Sequence, residues 1–463
     1  MSFGLFSRPG AGFSRGMWKR VWKDAGATLG LAIPIMAGHV GQMLMGLADT
    51  LMIGRVGVVA LGASSFANSL VHVALIGAIG FLASVAVQVS HAYGARDREG
   101  VASVVRHGFA ISAGGGLVLA IVLWAALPGL GFFGQPVEVV AAARPYIDWI
   151  VWSLPFALMT VALKNFTEAV GSPWPGFWVV FGSILLNIFL NWVLIFGNLG
   201  APAMGLEGAG IATFLARIAG FVAMGVLIFR HPLFRRWLPA RWRGPLSWLE
   251  VRCLFLIGFP VSLQLLMEVG AFAAATIMMG WFGVQALAAH QIALTCASTT
   301  FMFALGLSQA VTIRVGQAVG GGLSGDVRRI GFTAVAVALF IMGAFACLFF
   351  LGGGWLASAF TEDGAVIELA AGLLMVAAFF QLFDGTQVVS IGALRGLRDV
   401  RVPTVIVAVA YWVIGIPLGY LVSTRSVLEG VGVWMGLAFG LGSAAILLLM
   451  RFHRQCRRFW PAP

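Results

Sequence analysis

Charge is what this sequence has least of. Ten percent of its 463 residues are Asp, Glu, Lys or Arg, against roughly a quarter in a soluble domain. With 60% apolar residues and a mean hydropathy of +0.97, one large core shielded from water cannot account for the chain. Cysteine is scarce too. Cys253, Cys296, Cys347 and Cys456 are scattered without metal-type or redox spacing, which leaves them as packing residues or reduced thiols. No nucleotide-binding loop occurs, so ATP does not drive this protein directly. The seven histidines show no HExxH spacing and no GxSxG element is present, so the usual signatures of an intramembrane enzyme are missing. We expect no enzymatic activity and no cofactor.

What is present is a series of apolar stretches near or above the roughly 20 residues that cross a bilayer as a helix. They run approximately over 27–53, 58–90, 103–127, 140–165, 175–197, 206–229, 253–282, 285–313, 330–351, 367–394, 402–422 and 428–450. The basic, Trp-bearing start (Arg15, Trp18, Lys19, Arg20, Trp22, Lys23) leads into a span too long for a signal-peptide core. The net charge of +12 suggests nucleic acid until its distribution is drawn. All but four of the 29 Lys and Arg fall on one side of the twelve spans; Arg55, Arg144 and Arg425 fall on the other, and Arg217 lies inside a span. That asymmetry is the positive-inside rule, and it places both termini in the cytoplasm. No nucleic-acid partner is expected; the partner is the lipid bilayer.

The chain is also duplicated. The segment from Pro34 matches the segment from Pro260 without a gap, pairing Thr50, Met52, Gly54, Gly57, Ala60 and Leu61 with Thr276, Met278, Gly280, Gly283, Ala286 and Leu287. Later landmarks repeat in the same order: Gly171 with Gly396, and Leu206-Glu207-Gly208 with Leu428-Glu429-Gly430. Six spans per unit is an even number, so both units start on the same side and are parallel repeats about an axis along the membrane normal. Transporters built this way hold substrate between their halves and alternate access by rocking them. The fold class expected is an all-α polytopic membrane protein: twelve transmembrane helices in two six-helix lobes. Its parts would be a cytoplasmic N-terminal segment (1–24), a first lobe (25–230), a cytoplasmic linker (231–250), a second lobe (251–450) and a basic tail (451–463). One chain then holds a whole cleft, so a monomer suffices for function.

Three acids fall inside spans: Asp49 in span 1, Glu268 in span 7 and Asp384 in span 10. A charge at the centre of a membrane helix costs at least about 2.5–3.5 kcal/mol, so such residues face a cavity or the bundle interior and mark an ion or proton pathway. The alternative is an internal ion pair, for which Arg217 is the deep basic candidate. The repeat places Ala275 opposite Asp49, Gln42 opposite Glu268 and, roughly, Met159 opposite Asp384. Acids that served a scaffold shared by both halves should recur in both. These do not, which points to coupling rather than architecture.

The surrounding motifs are PIMAGHVGQMLMGLADTLMIGRVGVVALGASSFAN in spans 1 and 2, FPVSLQLLMEVGAFAAATIMMGWFGVQALAAHQIA in spans 7 and 8, and QLFDGTQVVSIGALRGLRDVRVPT in span 10 with its exit. Over essentially the whole chain they resemble the multidrug and toxic compound extrusion (MATE) family, in its NorM-like branch. The resemblance implies an antiporter of the bacterial inner membrane whose two lobes form a V-shaped cleft. It would expel cationic, lipophilic drugs and dyes in exchange for H+ or Na+. Asp49 would be the first-lobe ion and proton site, and Glu268 with Asp384 the second-lobe acidic pair and the candidate Na+ site. A secondary polar cluster would comprise Asn187, Asn191 and Thr213. Some relatives carry aspartate at the position of Asn191, so a first-lobe sodium site is in doubt and proton coupling there stays open. Interhelical hydrogen bonding is the bland alternative for the two asparagines. Candidate cleft residues are Gln42, Gln264, Phe272, Met278, Gln291, Phe383 and Gln387, against plain packing for the aromatic and Met side chains. A related flippase of lipid-linked sugars would need several basic residues in its cleft, and Arg217 alone lies deep. An ion gradient remains as the energy source, at roughly 2.3 kcal/mol per charge per 100 mV.

Overall fold

The computed structural model describes residues 11–242, 244–426 and 428–459, so part of the expected N-terminal segment and of the basic tail lies outside the described residues. Twelve helices are long and apolar enough to cross a membrane: Trp18–Gly54, Val58–Gly94, Arg98–Phe133, Val137–Ala169, Pro173–Phe196, Gly205–Arg230, Trp248–Gly280, Val284–Gly320, Gly325–Ser358, Gly364–Gly396, Arg401–Arg425 and Glu429–Arg457. We number these spans 1 to 12. Each matches its expected apolar stretch to within two residues or extends beyond it; 175–197, 253–282 and 428–450 overrun their helices by one or two residues. A helix in hydrocarbon must satisfy all its backbone groups internally, so it continues through the headgroup layer until a turn can take over. The first Pro of the linker, Pro232, opens a one-turn helix, Pro232–Arg235.

The spans form two six-helix lobes around a V-shaped cleft, and the repeat is visible in how the lobes meet. A Cβ on Gly94 would overlap the backbone of Gln317, and one on Gly320 would overlap the backbone of His91. Residue pairs 94/320 and 91/317 are related by the same shift that relates Pro34 to Pro260. The two contacts are therefore one contact made twice across a pseudo-twofold axis. A second tier repeats the pattern: Gly80 abuts Ser262 and Gly306 abuts Met36. Water gives no hydrophobic drive between helices inside a bilayer, so backbone approach through small residues has to hold the lobes together. These contacts lie in the later parts of spans 2 and 8 and the earlier parts of spans 1 and 7, toward the basic side. The V closes there.

An asymmetric ion cluster reinforces this closed end. Asp24 of span 1 accepts from Arg314 Nη2 of span 8 at 2.7 Å and pairs with Arg329 Nε of span 9. Arg314 Nη1 also donates to Thr28 Oγ1 at 2.6 Å and to the Asp24 carbonyl at 2.7 Å, while Arg329 reaches Asp326 at 3.0 Å. The repeat-related positions are Glu250 and Gln88. There the arginine comes from the exit of span 10: Arg398 Nη2 donates to Gln88 Oε1 at 2.5 Å. His91 Nε2 adds a 2.7 Å contact to the Gly396 carbonyl.

Span 11 is interrupted. A π-helical segment runs from Val409 to Gly415, directly before Pro417. Proline has no N–H to close the α-helical ladder and its ring crowds the preceding turn. The helix absorbs this as a local widening, which aims Tyr411 at the second-lobe interior.

Breaking the Asp24 cluster should loosen the closed end. In Asp24→Asn Arg314 loses its counter-charge in a mostly buried site while Arg329 keeps only Asp326, a loss of about 3 kcal/mol for a buried pair. We expect a lower melting temperature in detergent and a broader distance distribution between spin labels placed across the lobes on the basic side. An unchanged distribution would show that the glycine contacts alone hold the lobes.

Candidate functional site

The intramembrane acids of the two lobes are built into different surroundings. In the first lobe, Asp49 is half-buried in the later part of span 1, beyond Pro34. Asn191 Nδ2 of span 5 donates to Asp49 Oδ1 at 2.5 Å. The same amide reaches Asn187 Oδ1 at 3.3 Å, and Asn187 Nδ2 reaches Thr213 Oγ1 of span 6 at 3.3 Å. Asn187 and Asn191 sit one turn apart on one helix face, and both are buried. The structure thus brings Asp49, Asn191, Asn187 and Thr213 into one hydrogen-bonded row. Asn191 Oδ1 is buried without a donor, which leaves a free acceptor beside the carboxylate.

Arg217 does not neutralise this acid by direct pairing. Its Nη1 donates to Ser153 Oγ of span 4 at 2.7 Å, and among the described residues no carboxylate lies within ion-pair distance of it. Tyr146 Oη donates to Asn68 Oδ1 at 3.1 Å and Trp149 Nε1 to Glu207 Oε1 at 3.3 Å, so spans 2, 4 and 6 are also tied together by polar contacts.

In the second lobe, Glu268 is buried on span 7. Its Oε1 accepts from Gln264 Nε2 one turn away at 3.3 Å and from Gln387 Nε2 of span 10 at 3.1 Å. Gln387 Nε2 also lies 3.4 Å from Tyr411 Oη on the widened segment of span 11. Asp384, buried one turn before Gln387, lies within electrostatic reach of Glu268. Its side chain takes no hydrogen bond among the described residues. A carboxylate placed so, next to an acid already held by two amides, has the chemistry to take up a proton or a cation.

Behind this pair stands a rigid wall. Trp434 Nε1 donates to His290 Nδ1 at 3.0 Å, which puts the imidazole proton on Nε2, and Nε2 meets Thr276 Oγ1 at 2.9 Å. Thr276 in turn donates to the Phe272 carbonyl at 2.9 Å. The rings of Phe272, Phe380, Trp434 and Tyr411 pack edge-on or tilted against one another at 6.0–6.4 Å. Tyr411 and this histidine-centred wall were not legible from the sequence; the proline after the widened segment was the available signal.

The remaining cleft candidates separate. Gln42 and Gln291 are exposed, and Gln264 and Gln387 belong to the Glu268 cluster. Met278 is buried in the second-lobe core, in the packing role weighed against a cleft role, and Phe383 is partly exposed beside Gly442. One basic residue is placed differently from expectation. Arg395, counted among the charges of the basic side, is buried in the last turn of span 10 with its Nε unpartnered, because the helix runs further than its apolar stretch. Arg217, itself half-buried, is therefore not the only arginine drawn in from the surface. Asp399 of the same motif ties the exit of span 10 to span 12, accepting from Arg451 Nε and Gln455 Nε2 at 2.8 Å each.

The MatE family model matches residues 34–193 and again 260–421, once in each half, beginning at the two repeat-related prolines. The chain belongs to the multidrug and toxic compound extrusion family. Members of this family are membrane transporters, not enzymes. A probable multidrug resistance protein NorM from Mesorhizobium japonicum is 36% identical over 97% of both chains, and one from Bradyrhizobium diazoefficiens is 35% identical over 93% of both. The fold is shared with a MOP superfamily transporter from Pyrococcus furiosus (TM-score 0.88, 20% identity, 95% of this chain and 97% of that one). It is shared equally with an outward-facing multidrug resistance MATE family transporter (TM-score 0.87, 20% identity, 95% and 97%).

Removing the amide that holds Asp49 should cost more than removing the distant hydroxyl in the other lobe. A hydrogen bond to a charged group contributes about 1.5–3 kcal/mol. Asn191→Ala should therefore reduce dye efflux by roughly tenfold or more at equal expression. Tyr411→Phe, which loses only a 3.4 Å contact, should reduce it by less than about threefold. Equal losses in the two variants would count against a special role for the Asp49 row.

Proposed function

We propose that this family member is a secondary active antiporter of the bacterial inner membrane that exports cationic, lipophilic drugs and dyes in exchange for H+ or Na+. The observation that carries the proposal is the pair of polar clusters. Each is centred on an intramembrane carboxylate, and they sit in opposite lobes of a frame that is otherwise a near-repeat. Asp49 with its asparagine row serves the first lobe, and Glu268 with Asp384 the second. The names of the relatives, multidrug resistance proteins, support the substrate class.

The two acids of the second lobe supply more negative charge than their amide partners can compensate. A bound proton, a sodium ion or a cationic drug each satisfies that site, and no two of them need do so together. Competition of this kind is sufficient for exchange: loading the coupling ion from outside displaces the drug, and loading the drug from inside displaces the ion. Phe272, partly exposed and backed by the buried rings of Phe380 and Tyr411, provides apolar and cation–π surface for a large hydrophobic cation. With the basic side in the cytoplasm and the lobes closed there, the cleft opens to the outside, the state that takes up the coupling ion and releases drug. Both termini then lie in the cytoplasm, spans 1–6 and 7–12 are the moving lobes, and 231–250 is the linker between them. One chain is a complete transporter.

The test is efflux from proteoliposomes with the sodium and proton gradients imposed separately, together with drug resistance in cells lacking other pumps. Asp49→Asn and Asp384→Asn should each abolish gradient-driven dye efflux while the protein remains folded. Undiminished efflux in both variants would remove the carboxylates from the coupling mechanism. Efflux driven by neither gradient would remove antiport itself.

A further inference from the structure

Four helix ends on the basic side close with the same turn. The spans that end at Gly94, Ala169, Gly320 and Gly396 are each followed by a residue with positive φ: Arg96 at 58°, Gly171 at 82°, Gly322 at 72° and Arg398 at 61°. The hydrogen bonds repeat as well. Arg96 N reaches Tyr93 O and Asp97 N reaches Ala92 O, as Gly322 N reaches Val319 O and Leu323 N reaches Ala318 O. Glycine adopts this left-handed conformation freely and arginine does not. By the repeat, Arg96 occupies the position of Gly322, so the strain in the first lobe is not imposed by the turn. A strained side chain kept where its counterpart is glycine indicates a use for the side chain. Arg398 has one, since it crosses to Gln88.

Among the described residues Arg96 has no such partner. It lines a cavity of about 530 Å³ with Arg98, Arg236, Trp237, Tyr93, Gly94 and Gln317. None of the three arginines lies within ion-pair distance of a carboxylate among the described residues. Arg236 stacks over the Trp237 ring at 5.4 Å, and Trp237 packs against Tyr93 at 5.0 Å with its indole N–H unpartnered. Three exposed, fork-shaped cations lining one concavity have the charge and donors to receive a phosphate group. The cavity also lies where spans 2 and 3 meet the membrane surface, with a Trp and a Tyr at the level where such rings sit among lipid headgroups. The geometry points to a site for the phosphate of an anionic phospholipid headgroup. Gly94 and Gln317, which also line the cavity, are a contact between lobes, so a bound headgroup clamps the closed end of the V. This inference is independent of which ion drives transport.

The test compares retention of phosphatidylglycerol and phosphatidylcholine by the purified full chain in native mass spectrometry, with melting temperature as a second readout. Phosphatidylglycerol should be retained preferentially and should raise the melting temperature. Each arginine replaced by Gln at 96, 98 and 236 should weaken retention by about fivefold. Lys19→Gln, Arg20→Gln and Lys23→Gln together remove the same charge from the same side and should leave retention unchanged. Arg96→Gly gives a split that a purely structural role does not: relief of the left-handed strain should hold or raise the melting temperature in phosphatidylcholine, while phosphatidylglycerol retention falls. Equal retention by the arginine and control variants, or loss in both, would overturn the site. If inorganic phosphate alone reproduced the stabilisation, the phosphate chemistry would stand and the lipid source would be overturned.

Discussion

Everything in this molecule depends on how two apolar bundles adhere in a solvent as apolar as themselves. Between lobes surrounded by lipid, burial of side-chain surface gains little, so adhesion has to come from van der Waals contact at short range and from polar groups with no water to prefer. The closed end uses both. Glycines let backbones meet in two symmetric tiers, and the Asp24 cluster adds a polar anchor on one side of the axis. An interface of this kind can open without exposing a large hydrophobic core to water. That property suits the alternating access proposed for the two lobes.

The symmetry of the frame gives the asymmetries their meaning. Asp49 faces an alanine across the repeat and Glu268 a glutamine, so each lobe carries its own form of acid site. The first couples one carboxylate to a row of amides reaching Thr213. The second holds Glu268 between Gln264 and Gln387 and sets Asp384 nearby without an amide of its own, backed by a histidine locked in one tautomer. A lone acid with amide donors can be discharged by one proton. A pair sharing a small volume favours a partner that spreads its positive charge over both.

Much of this was legible in the sequence because membrane helices announce themselves by length, and a duplication by its ordered landmarks. Span count, parallel repeats and the shared helix face of Asn187 and Asn191 follow from spacing along the chain, whereas the grouping of these asparagines with Thr213 near Asp49 was implied by the family resemblance. Tyr411 was not legible, since its direction depends on a widened turn that a proline imposes on residues before it. The burial of Arg395 was not legible, because apolar composition stops earlier than the helix does. The His290–Thr276–Trp434 wall joins residues from spans 7, 8 and 12, and no periodicity within one helix reveals such a meeting.

The reciprocal contacts of Gly94 with Gln317 and Gly320 with His91 are those of an isologous interface, the kind a homodimer presents to itself. A six-span chain associating about a twofold axis would have made the same two tiers from two identical subunits. Fusion through the basic linker froze that arrangement and released each half from the duty of matching its twin. Asp49, the Glu268–Asp384 pair, Arg96 opposite Gly322 and Asp24 opposite Glu250 are differences that only a fused chain can hold. An identical-subunit ancestor would have had to carry every charge twice.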